Sequence, residues 1–123
     1  MANTSFTGPV ISNNGFIGDV TGNVTGVTTG TVQALSGAGA VNTTTAVTSL
    51  TTTGAAQALT LANGAAGQFK TIVHTVDGGS AVLTPTTKVG FTTITFTNVG
   101  ESATLVYTAA GWAIVALNGA VAA

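Results

Sequence analysis

The stretch TTITFTNVGESATLVYTAAGWAIVALNGA, Thr92 to Ala120, decides the fold class. In TTITFTN the side chains alternate, with Ile94 and Phe96 on one side and Thr93, Thr95 and Thr97 on the other. That is the period of a strand with one dry face and one hydroxyl face. LVYT (105–108) and WAIV (112–115) are then joined by a short loop containing Gly111, which predicts an antiparallel hairpin. LVY and WAIVAL are apolar on both faces, as expected of strands covered twice. A chain of this size has few places to cover a strand twice, so a subunit interface is expected. Leu105, Tyr107, Trp112, Ile114 and Leu117 are the candidates for that interface or for the core.

Working outward, the same signals recur. TVQALS (31–36), TAVTSL (45–50), QALTLA (57–62), QFKTIVHTV (68–76) and SAVLT (80–84) read as strands. Turn chemistry separates them at Asn63-Gly64, Asp77-Gly78-Gly79, Val89-Gly90 and Asn98-Val99-Gly100. Pro85 marks a strand end or edge. About a fifth of the residues are threonine, which with valine favours the pleated surface. The expected fold is all-β: a small antiparallel sandwich, jelly roll or barrel over 32–123.

Residues 1–31 differ. Aliphatic and aromatic residues are sparse there, and GDVTGNVTGVTTG (18–30) places glycine at every fourth position. This segment has too little apolar surface to fold alone, and 30 extended residues reach on the order of 100 Å. We expect an extended arm that orders against neighbouring subunits, with Phe6, Val10, Ile11, Phe16, Ile17, Val20, Val24 and Val27 as its docking residues. Glycine at that spacing suits a backbone that bends repeatedly and runs close to another surface.

Composition excludes several functions. Only 4% of the 123 residues are charged, against an average near 25%. The cations are Lys70 and Lys88, with no arginine, so a nucleic-acid interface lacks its phosphate-neutralising groups. The absence of cysteine leaves no disulfide or thiolate metal site. MANTSFTG lacks the basic and apolar regions of a signal peptide, and the apolar tail 112–123 is too short for a membrane span. The glycosylation-type triplets at Asn3, Asn23 and Asn42 are chance matches in so threonine-rich a chain.

No catalytic constellation emerges. His74, the single histidine, lies inside a strand run and reads as packed or hydrogen-bonded to a strand neighbour. Asp19, Asp77 and Glu101 are the only carboxylates, and no spacing pairs two of them. Asp77 is a turn residue. GAGAVN (37–42) lacks the third glycine and the helix of a dinucleotide fingerprint. Thr-X-Thr at 93–97 does not repeat as an ice-binding ladder would, and Trp112 and Tyr107 sit in the hairpin rather than on an exposed sugar platform. The expectation is a non-enzyme with no cofactor or metal.

With these residues in view, the chain resembles tailed-bacteriophage virion structural proteins. The N-terminal MANTSFTGPV…GDVTGNVTG is similar to glycine-valine-threonine tracts of fibre and other virion proteins. The C-terminal TTITFTNVGESATLVYTAAGWAIVALNGA resembles the closing hairpins of small virion proteins. Together they cover about half the chain. Small size makes it most like a capsid decoration (cement) protein. That resemblance implies a homotrimer clamping adjacent major capsid protein subunits on the capsid exterior, assembled in the bacterial cytoplasm without nucleic acid or membrane. A tail fibre or baseplate component involved in host attachment is the alternative.

Overall fold

The computed structural model describes residues 7–9, 11, 13–14, 21–22, 25–27 and 29–123. Among them every regular element is a strand, so the chain is all-β, as its threonine and valine content predicts. Eleven strands are present: β1 Val32–Ser36, β2 Gly39–Val41, β3 Val47–Thr51, β4 Gln57–Leu61, β5 Phe69–Val76, β6 Ala81–Pro85, β7 Lys88–Val89, β8 Ile94–Phe96, β9 Ser102–Thr108, β10 Gly111–Asn118 and β11 Val121–Ala122.

They form two sheets, ordered β1-β3-β5-β9-β10-β7 and β11-β8-β6-β4-β2. Successive strands from β1 to β6 alternate between the sheets, and each of β1 to β4 pairs in parallel with the strand two places on. The first half of the body is therefore three stacked coils, solenoid-like rather than a jelly roll. From β8 the direction reverses: β8 is antiparallel to β6, and β9 to β5. The expected β9–β10 hairpin is present, with Trp112 opposite Tyr107 and Ile114 opposite Leu105 and an irregularity between Ile114 and Ala116. The antiparallel expectation thus holds where β8, β9 and β11 pair, and is corrected for the pairs among β1 to β6 and for β7, which pairs in parallel with β10. A coil needs a corner where the chain passes between sheets, and these corners carry the turn residues that also mark hairpins.

The corners stack as closely as the strands. Thr52 N–H donates to Val76 O at 2.9 Å, and Gly78 N–H to the Thr52 hydroxyl at 2.8 Å. A Cβ on Gly78 would sit 2.4 Å from Thr52 O, and one on Gly79, at φ +139°, 2.5 Å from the Gly54 carbonyl carbon. Only glycine permits this approach. Asp77 closes the turn by accepting Gly79 N–H at 2.8 Å, the turn role expected of it.

Between the sheets lies one core. Leu50, Ile72, Ala103, Leu105 and Trp112 enter from the first sheet, and Val41, Leu59, Leu61, Leu83, Ile94 and Phe96 from the second. Ile94 and Phe96 are fully buried while Thr93 and Thr95 are half-buried and Thr97 exposed, which is the alternation the sequence predicts. Trp112 donates its indole N–H to Ala62 O at 2.8 Å and meets Tyr107 edge-on at 5.1 Å between ring centroids. The closing hairpin is thereby fastened to the loop after β4.

Candidate interaction surfaces

Two candidate groups were named from the sequence, and they meet different fates. Leu105 and Trp112 are fully buried within the chain, and Tyr107 and Ile114 are partly buried against the same core. Leu117 is 36% exposed on the last part of β10. Four of the five residues thus belong to the chain's own core or pack against it, and Leu117 does not. Of the docking residues, Ile11 and Val27 are 86% and 94% exposed. Phe6, Val10, Phe16, Ile17, Val20 and Val24 lie outside the described residues.

Two of the charged residues, Lys70 and Glu101, are drawn in rather than displayed. Lys70 is fully buried on β5, its ammonium donating to Thr45 Oγ1 (2.8 Å), Thr45 O (3.0 Å) and Asn42 Oδ1 (3.3 Å). Its three donors meet three neutral oxygens, and burial pulls its pKa down to about 8. Glu101 is also buried: its carboxylate accepts Thr97 N–H at 2.5 Å and the Asn98 amide at 2.9 Å. The Thr97 bond first, then that from Asn98, holds its carboxyl below the usual range. Lys88 folds back onto Pro85 O at 3.1 Å.

His74 is fully buried, as its place in a strand run predicts. Nε2 lies 3.0 Å from Thr52 Oγ1, the backbone N–H donates to Glu101 O at 2.8 Å, and Nδ1 has no protein partner. His74 and Glu101 meet through this backbone bond, at the corner where β5 and β9 pair. No group of three or more His, Asp or Glu side chains that could hold a metal occurs among the described residues.

The outer faces of the two sheets are uncharged, with Asp77 exposed in its turn. On the outer face of the first sheet, Phe69 pairs with Val106, Val106 with Ala113, and Ala113 with Val89. This is an apolar row across four strands, with Phe69 59% exposed. Beside it, Thr71 and Thr104 are opposite one another, their hydroxyls 3.1 Å apart. The outer face of the second sheet carries Ala58, Val82, Thr95 and Val121 in one row and Ala40, Thr60 and Thr84 in the next. Sequence reasoning placed the alternation at 92–98 correctly but missed these rows. They appear only once strands distant in sequence are set side by side, as Phe69 is against Val106 and Thr71 against Thr104.

No protein-family model matches this chain, and no curated protein matches its sequence.

Proposed function

We propose that this chain is a structural protein of a phage virion, a homo-oligomer that decorates the capsid and stabilises it by clamping adjacent major capsid protein subunits. The observation that carries the reading is the absence of charge from the outer faces of both sheets. Both outer sheet faces consist of Val, Ala, Phe, Thr and Ser, and Lys70 and Glu101 are folded inside. A soluble monomer relies on surface charge to stay apart from its neighbours. An exterior of this kind suits a body covered by other protein. The exposure of Ile11 and Val27 supports an arm that does not use its own body as its docking surface. Binding only the assembled lattice would stabilise a pressurised head by mass action, and several contacts per oligomer would reinforce one another. A trimer follows from the resemblance of the sequence to decoration proteins.

The stacked coils favour one other reading, a tail fibre or baseplate component, because coils that contact only their neighbours build elongated parts by simple addition. Locating the protein in the virion and counting its copies tests both. Hundreds of copies on the head support decoration, a few dozen at the tail support the alternative, and absence from purified virions overturns both. Deleting residues 1–31 should abolish binding to heads.

A further inference from the structure

The two ends of the coil stack are finished differently. At the far end the sheet edges are β7 and β11, two residues each, and β7 contains Lys88. Short edges and lysine are the usual guards against strand addition. At the near end the edges are β1 and β2, both from the first coil. Neither contains a charge, a proline or a bulge.

The open groups on β1 can be assigned one by one. Thr31 O accepts Val47 N–H at 3.2 Å, and Gly37 N–H donates to Thr51 O at 2.8 Å. These bonds bracket a parallel ladder running in register from Val32↔Val47 to Ser36↔Thr51. In such a ladder alternate residues turn both backbone groups to the same side. Gln33 and Leu35 therefore face β3, and Val32, Ala34 and Ser36 present three N–H and three C=O groups to the open side. Their side chains are exposed as well.

We propose that this edge takes a strand from residues 18–30 of a second copy of the chain. GDVTGNVTGVTTG has the length and the Val/Thr content for the task, Asp19 is its single charge, and its bends at Gly22 and Gly26, at φ +110° and +123°, open as the segment extends along the edge. It is tethered at the edge itself, since β1 begins two residues after Gly30. Among the described residues β1 pairs with β3 alone, and Thr25, Gly26 and Val27 are exposed rather than laid against it. Nor does the chain fold back tightly into β1, because Gly30 lacks the positive φ that a two-residue hairpin turn needs. Donating an arm to a neighbour while accepting another is a head-to-tail contact. It closes into a ring, such as a trimer, or propagates into a filament.

This rests on the oligomer named above but not on its place in the virion, so it is tested on the full-length isolated protein. Residue-resolved amide exchange is measured at high concentration and after dilution to the monomer. Val32, Ala34 and Ser36 are expected to exchange at least tenfold more slowly in the concentrated sample, together with amides in 18–30. Gln33 and Leu35 are expected to be protected in both. Ala34→Pro removes an N–H the chain's own ladder does not use, so the fold should survive while association and the added protection disappear. Fast exchange at Val32, Ala34 and Ser36 at every concentration overturns the proposal. Protection that persists in the monomer assigns the edge to the chain's own arm and overturns it equally. Protection of the edge without protection of 18–30 shows a different occupant and does the same.

Discussion

The coils β1 to β6 and the closing strands β8 to β11 share two sheets and one core, yet they solve the problem of ending a sheet in opposite ways. The closing half reverses direction, pairs β9 with β10 through a tight Gly111 turn, and ends on a two-residue strand. The coil half runs one way and stops on a five-residue strand with its backbone groups unused. Local turn chemistry can finish a sheet from within the chain, whereas coil stacking leaves an end that something else must cover. The two halves depend on each other at a few side chains, and those are the places to press.

Trp112 is the strongest of these. It belongs to the closing hairpin but packs in the common core and donates to Ala62 O in the coil half. Trp112→Ala should cost about 3–5 kcal/mol, measured by urea unfolding, because it leaves a large cavity and an unpaired carbonyl. Both halves should unfold together. If far-UV signal from the coils outlasts loss of the hairpin in this variant, the halves are separate cooperative units and the single-core description fails.

The same contrast explains what was legible in the sequence. The β9–β10 hairpin was readable because its signals are adjacent: the apolar runs LVY and WAIVAL on either side of Ala109-Ala110-Gly111. The strand runs that became β1, β3, β4, β5 and β6 were readable too, but their parallel pairing was not. Partners in the first sheet are 15 residues apart between β1 and β3 and 24 between β3 and β5, so no fixed repeat shows. β2, inside GAGAVN, has only Val41 as a core anchor, and β7 and β11 are two residues each. Strands so short carry no period. Tyr107, Ile114 and Trp112 were recognisable as core or interface, and the second sheet packs on the face they share; the opposite face, with Val106 and Ala113, is not covered by the described residues. The burial of Lys70 had no signal at all: it depends on Asn42 and Thr45, which lie 28 and 25 residues earlier.

Glu101 tests the closing half alone. Its carboxylate holds the turn between β8 and β9 through Thr97 N–H and the Asn98 amide, and a Cβ at Gly119 would lie 2.8 Å from its Cγ. Glu101→Gln presents one oxygen where two are used, and should cost about 1–2 kcal/mol at pH 7. The folded carboxyl titrates below its ordinary 4.5, so its contribution is complete above that value and is lost as pH falls through the folded one. The wild type should therefore weaken below about pH 4.5 more steeply than the variant. Parallel acid profiles would mean that the turn does not depend on the charge.

Lys70 is the counterpart in the coil half and has the opposite sign. Among the described residues it has no carboxylate partner, only the oxygens of Asn42 and Thr45, and burial lowers its pKa from 10.5 to about 8. Below pH 8 the ammonium is protonated in both folded and unfolded chains, and its burial penalty is fully present. Between about 8 and 10.5 the unfolded chain holds more protons, so stability should rise with pH; above that range the curve should flatten. Lys70→Met has no proton to lose in this window and should show no such rise, whatever its stability at pH 7. Urea midpoints at pH 7.5, 9 and 10.5 for both proteins isolate the effect, because the other titrating groups are common to the two. An equal rise in both would place the lysine's ammonium in water, and the three oxygens gathered around it would then need another reason for being there.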